Sequence, residues 1–169
     1  MKKYIIILLT SSGFFSVNAC KEKEGNAKCS NPNISASVGG TAFSACNAYA
    51  YNVVVFGDTS FAILGQVDAG NLLSFAFNVA DKNLISPGTY QITDGVGGNP
   101  AGQPFRVNFV YKEGGAGLSN SFNSQSGTLI LTVANGAQFK GTFSGSARRA
   151  SGSPDVKTIT NGSFDVNFK

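Results

Sequence analysis

From Ile34 onward, apolar residues recur at every second position, and this period of two constrains the fold more than any other feature of the 169-residue chain. Tyr49, Tyr51, Val53 and Val55 alternate with smaller or polar neighbours, and Leu73, Phe75, Phe77 and Val79 alternate with Ser74, Ala76 and Asn78. The pattern returns at Phe105, Val107, Phe109 and Tyr111, at Leu129, Leu131 and Val133, and at Phe164, Val166 and Phe168. Successive side chains of a strand point to opposite faces, so each run offers one apolar face to a core. Outside the first twenty residues no window carries a helical stripe. The chain reads as all-β.

Turn chemistry points to antiparallel pairing. Asn135-Gly136 separates two apolar runs and suits a type I′ hairpin turn, which needs positive φ at both central residues. Asp68-Ala69-Gly70 and Pro87-Gly88 punctuate earlier runs, and Gly followed by Thr or Ser at Gly88, Gly127, Gly141 and Gly162 reads as turn-to-strand punctuation. About nine strands are expected, arranged as an antiparallel β-sandwich or, alternatively, as a closed lipocalin-like barrel. The 14 Phe and 42% hydrophobic residues suffice for a core.

The N-terminus has a different logic. Lys2 and Lys3 precede the apolar run Tyr4-Ile5-Ile6-Ile7-Leu8-Leu9, and Val17-Asn18-Ala19 precedes Cys20. That is the layout of a signal peptide over residues 1–19, too short to span a bilayer. Val17-Asn18-Ala19-Cys20 resembles a lipobox, where cleavage exposes a cysteine for diacylation, so Cys20 is the expected lipidation site and the membrane the expected partner. The same residues satisfy the rule for ordinary secretion, which leaves a soluble exported protein as the alternative. The chain holds three cysteines, and lipid on Cys20 leaves Cys29 and Cys46 to form a disulfide in an oxidising compartment. Residues 20–33 then form a lipidated cysteine and polar tether, and residues 34–169 a single domain.

Removing Lys2 and Lys3 lowers the basic residues from 13 to 11 against 9 acids, a net charge near +2. Basic residues are scattered apart from Arg148-Arg149, so nucleic acid is not an expected partner. With no His, the commonest general base and metal ligand is missing, and Ser-His-Asp, Cys-His and His/Cys zinc sites cannot be built from this chain. Calcium loops of the D-x-[DN]-x-[DN]-G type do not occur, and neither a metal nor a cofactor is expected. A carboxylate pair drawn from Asp58, Asp68, Asp81, Asp94, Glu113, Asp155 and Asp165 is the one hydrolytic arrangement composition allows, although four of these sit in turn-like contexts.

The segments Ser126-Gly127-Thr128-Leu129-Ile130-Leu131-Thr132, Phe139-Lys140-Gly141-Thr142-Phe143 and Thr158-Ile159-Thr160-Asn161-Gly162-Ser163-Phe164, with Gly88-Thr89-Tyr90 upstream, resemble a recurrent pattern in small Bacteroidota lipoproteins of unknown function. That resemblance implies an all-β lipoprotein and supplies no catalytic or ligand residues. Cys20-Lys21-Glu22-Lys23-Glu24 also resembles the export signal that routes such lipoproteins to the cell surface. The implied location is the outer membrane, on its periplasmic or outer side.

Three loops, Thr93–Pro104, Glu113–Ser126 and Gly145–Asp155, are the places where function is expected to reside. Leu118 and Phe122 read as exposed apolar residues of the second, and Arg148 and Arg149 as cations of the third. Sugar recognition through Tyr49, Tyr51, Tyr90 or Tyr111 is disfavoured, because alternation assigns Tyr51 and Tyr111 to core faces. The expected role is non-catalytic binding or scaffolding of a protein, glycan or small apolar ligand at the envelope. The alternatives are a barrel carrying a hydrophobic ligand and a carboxylate-dependent glycan hydrolase.

Overall fold

A computed structural model describes residues 30–169 apart from 56–57, 69, 80 and 115–117. Ten strands follow in chain order: β1 (Ile34–Val38), β2 (Thr41–Ala45), β3 (Asn47–Val55), β4 (Asp58–Gln66), β5 (Leu72–Phe77), β6 (Gly88–Ile92), β7 (Val107–Lys112), β8 (Ser121–Ala134), β9 (Gln138–Arg149) and β10 (Val156–Asn167). The only described helical pieces are single 3₁₀ turns at Lys82–Leu84 and Leu118–Asn120. The all-β expectation holds, with ten strands where about nine were expected.

All ten strands belong to one sheet, ordered β2-β1-β10-β9-β8-β6-β7-β5-β4-β3. The two ends of this list are halves of one bent segment, because only Cys46 separates β2 from β3. Its first half pairs with β1 and its second with β4. A parallel bridge between Ala50 and Phe168, with the Lys169 amide donating to the Ala50 carbonyl at 2.9 Å, draws β3 toward the end of β10. The sheet is therefore nearly closed and barrel-shaped, the alternative arrangement, where a sandwich would divide it into two packed sheets. Closure of this kind protects strand edges from pairing with other chains.

Bulges let the long strands wrap. Strands β8, β9 and β10 run for 14, 12 and 12 residues. Pairing shifts register between Ser124 and Ser126, between Leu131 and Val133, and between Ile159 and Gly162. Three of the glycines read as turn punctuation, Gly127, Gly141 and Gly162, lie inside these strands instead. A side chain at Gly127 would place its Cβ 2.3 Å from the Ser144 carbonyl oxygen, and one at Gly162 would meet the Phe143 ring at 2.5 Å. Asn135-Gly136 does end a hairpin, but the linking pair is Gly136-Ala137. Gly136 has φ of +80° and Asn135 is not among the residues with positive φ, the glycine placement of a type II′ turn. The Asn135 Oδ1 accepts from the amides of Ala137 and Gln138 at 3.0 and 2.8 Å, which moves the turn along by one residue.

One junction depends on a buried hydroxyl. Strand β8 pairs with β7 at Ser121–Asn123 and with β6 at Gly127–Leu131, so its partner changes in between. Ser124 sits there at 1% exposure. Its Oγ donates to the Thr93 carbonyl and accepts from the Phe109 amide at 3.1 Å, satisfying two backbone groups that no ladder reaches.

Aromatic rings fill the interior. Phe61, Phe75, Phe77, Phe105, Phe109, Phe122 and Phe139 are fully buried. Contacts cross the barrel from wall to wall: Phe61 on β4 meets Phe139 on β9 at 4.5 Å between centroids, and Phe75 on β5 meets Phe143 on β9 at 4.7 Å. Phe105, from the β6–β7 connection, stacks on Tyr90 at 4.9 Å. The Phe residues that a ligand-carrying barrel would turn toward a cavity pack against one another.

Candidate functional site

The residues expected to form binding loops divide. Phe122, read as an exposed loop residue, is instead fully buried in the second position of β8. Arg149, also read as a loop cation, ends β9 and lies over the Phe122 ring, its guanidinium carbon 4.6 Å from the centroid. Its Nε binds Asp155 Oδ2 at 2.9 Å, Nη2 lies 4.0 Å from Glu113 Oε1, and Nη1 donates to the Ser119 carbonyl. Lys157 completes the group by pairing with Glu113 at 3.0 Å. Two cations and two carboxylates thus cap one end of the aromatic interior, and the donors of Arg149 are engaged within the fold. Burial, followed by the nearby Glu113 carboxylate, raises the Tyr111 phenol above its ordinary pKa. Arg148 is exposed on the same strand, where its register places it opposite Val156 and Asn123. Leu118 opens the 3₁₀ turn Leu118–Asn120.

Cys20 and Cys29 lie outside the described residues, and with them the lipid site and one half of the expected disulfide. Cys46 occupies the bend between β2 and β3, with its Sγ 3.8 Å from the Asn31 carbonyl oxygen.

Carboxylates serve turns and ion pairs. Asp68 Oδ1 accepts from the Gly70 amide at 2.7 Å and Oδ2 from Asn71 Nδ2 at 2.7 Å; these bonds, led by that of Asn71, hold its pKa below the usual carboxylate value. Asp165 is lowered likewise, first by Gln138 at 2.7 Å and then by Lys140 at 3.1 Å. Asp81 and Asp94 accept from backbone amides two residues ahead, as turn residues do. A general acid at neutral pH needs its carboxyl pKa raised, and both resolved carboxyl shifts run the other way. No group of three or more metal-ligating carboxylates or thiols occurs among the described residues.

The outer wall presents two different surfaces. Across β1, β10, β9 and β8 it is hydroxyl-rich, with Ser35 facing Ser163 at 3.0 Å and Ser126 facing Ser146 at 3.2 Å. A cleft of about 360 Å³ there is bordered by Thr128, Thr142, Ser144 and Ser163 together with the apolar Ile130 and Phe143.

Across β3, β4, β5 and β7 the outer face sets Tyr49, Tyr51, Leu64 and Val110 among Ser74, Asn108 and Lys112, and it contradicts the alternation reading of Tyr49, Tyr51 and Val53. Fully buried Ile63 pairs with Ala50, also fully buried, so β3 turns Ala50 and the partly buried Ala48 inward, while Asn52 and Val54 further along the strand are exposed. Tyr49, Tyr51 and Val53 therefore point outward and are half-buried. Register aligns Tyr49 with Leu64, Ser74 and Val110, and Tyr51 with Ala62, Ala76 and Asn108. The two tyrosine rings lie 5.5 Å apart at 52°, and Lys169 Nζ stands 4.1 Å over Tyr49. Ala62 is only 3% exposed although it is no part of the interior cluster, because outward neighbours cover it. Burial, and then Tyr49 beside it, raises the Tyr51 phenol pKa. The β6–β7 connection borders this face, since a Cβ at Gly95 would lie 3.3 Å from the Asn108 amide carbon.

Period two could not have revealed this face, because alternation separates two sides without saying which is inside. No protein-family model, curated protein or solved structure matches the chain.

Proposed function

We propose that the chain is a bacterial envelope lipoprotein, anchored through Cys20 to the outer membrane, whose domain acts by binding and not by catalysis. The observation that carries the reading is the filled interior. Rings from β4 and β5 touch rings from β9, so the recognition surface falls to the outer wall. A carrier barrel draws no support from that packing, and a hydrolase draws none from carboxylates committed to turns and cations. The signal layout ending at Cys20 supports the anchor, and the polar stretch after it provides a leash.

Intact-mass measurement of the mature protein, with Cys20→Ser and membrane fractionation, tests the anchor. Diacylation and membrane recovery, both lost in the variant, are expected; an unacylated mature chain in the soluble fraction refutes it. Protease treatment of intact cells separates the cell-surface from the periplasmic side.

A further inference from the structure

Beyond β4, the only described strand contact of β3 is the bridge at Ala50, and closure of the barrel stops there. We infer that the edge of β3 beyond Ala50 pairs with the same edge of a second copy of the chain, an interaction that needs no lipid anchor and so goes beyond the function proposed above. In an antiparallel ladder the backbone groups of alternate residues point to the partner strand, and those of the residues between point away. Ala50 bridges Phe168 and its carbonyl accepts from the Lys169 amide at 2.9 Å, so Ala50 belongs to the set turned away from β4. Asn52 and Val54 continue that set along the strand. Among the described residues no hydrogen bond takes the amide or the carbonyl of either. Alternating donors and acceptors at strand spacing are matched by another extended backbone and not by a glycan or a lipid headgroup.

The edge is complementary to itself. A two-fold axis at Val53 sets Asn52 of one copy opposite Val54 of the other, and every open amide and carbonyl of both residues then enters an interchain hydrogen bond. Residues 51–55 include no charged residue and no Pro, the usual devices that blunt an edge. Identical uncharged runs also meet without the like-charge repulsion that would keep two copies apart. Val54 is 67% exposed and Asn52 beside it is exposed as well. Pairing brings the Val54 side chains of the two copies diagonally together across the joint sheet, which covers apolar surface that one copy alone leaves in water. The other end of the strand order, β2, carries none of the exposed large apolar side chains found among the described residues, so this gain belongs to β3.

The proposed axis sets Val53 against Val53 of the second copy in a pair without hydrogen bonds of its own, where Cα atoms lie about 4.5 Å apart and a disulfide can form. Val53→Cys is expected to give a linked dimer on a non-reducing gel after mild oxidation, and wild type and Ser146→Cys are expected to give none. The mature protein carrying Cys20→Ser, which removes lipid-driven association, is expected to sediment as a monomer–dimer mixture that shifts with concentration. Val54→Lys sets two ammonium groups side by side, and Asn52→Pro removes an amide that the fold leaves unused. Each is expected to raise the dimer dissociation constant about tenfold or more, with the thermal midpoint held within about 2 °C. Three results overturn the inference: a monomer at every concentration with no link through Val53→Cys, a dimer that both variants leave intact, or a link through Ser146→Cys as ready as that through Val53→Cys. A photo-crosslinker at Val54 that captures only a different protein on intact cells overturns the second copy and leaves the binding role standing. An unacylated soluble chain that still links through Val53→Cys refutes the anchor and supports the pairing.

Discussion

Replacing Ser124 with Ala removes one oxygen and orphans two backbone groups at the place where β8 changes partner. The Phe109 amide loses its acceptor at 3.1 Å, and the Thr93 carbonyl loses the hydroxyl that donates to it. At 1% exposure Ser124 leaves water little access to replace either bond. A buried backbone group left unsatisfied costs about 1–3 kcal/mol, so the pair predicts a loss of about 2–6 kcal/mol. For a domain of this size each kcal/mol moves the thermal midpoint by about 2–4 °C, giving a fall of roughly 4–24 °C. Urea unfolding followed by circular dichroism measures it, with Ser126→Ala as the comparison. Ser126 bonds Ser146 on the exposed wall, and its loss is expected to stay within about 0.5 kcal/mol. If Ser124→Ala costs no more than Ser126→Ala, the hydroxyl does not hold the junction and the reasoning fails.

Other perturbations separate neighbouring roles. Arg149→Ala, which removes the nearer of two cations over Phe122 and frees Asp155 while Glu113 keeps Lys157, is expected to destabilise by about 1–2 kcal/mol, while exposed Arg148→Ala stays within about 0.5 kcal/mol; equal urea midpoints for the two would refute the assignment. Gly127→Ala must push its Cβ off the Ser144 carbonyl and is expected to cost at least about 2 kcal/mol or abolish soluble expression, whereas unchanged stability would mean that β8 and β9 separate easily. The lowered pKa of Asp165 gives stability that is present above the unfolded carboxyl value of about 4 and lost as pH falls through the lower folded value. The gap in urea midpoint between wild type and Asp165→Asn should therefore narrow between pH 5 and about pH 2, and a gap that widens on acidification contradicts the pairing. Alkylation of the unreduced mature protein, read by intact mass, should leave Cys29 and Cys46 unmodified, and two alkylated thiols would rule out their pairing.

Strand positions were legible wherever alternation ran unbroken. Leu73, Phe75 and Phe77, and likewise Val107, Phe109 and Tyr111, face inward as the pattern implies. Bulges hid the rest. In β8 the most deeply buried positions are Phe122 and Ser124, then Leu129 and Leu131, so parity switches at the register shift after Ser124 and the first half reads as a polar loop. The same happens in β10 between Ile159 and Gly162. An extra residue moves every later side chain to the other face, and a fixed period of two cannot follow it. Glycines inside β8, β9 and β10 were misread because a Gly-Thr pair looks alike at a turn and at a close crossing of backbones.

The tyrosine face was missed for a different reason. Small Ala50 serves the inside because it bridges Phe168 next to Phe61, where ring volume is already supplied, and the larger Tyr49 and Tyr51 are left outside. Size alone suggests the reverse. Arg148 and Arg149 are adjacent in sequence and differ only through what their strand faces reach, Phe122 and its ion pairs for one and solvent for the other.

The central claim is that this domain works from its outer wall at the envelope, with its interior closed to ligands. The most direct measurement places a photo-crosslinking phenylalanine derivative at Tyr51, or at Ser146 on the hydroxyl-rich wall, and irradiates intact cells. The account predicts an adduct in the membrane fraction at position 51 that is absent or much weaker at 146. Crosslinking at 146 alone, or none at 51, would contradict it.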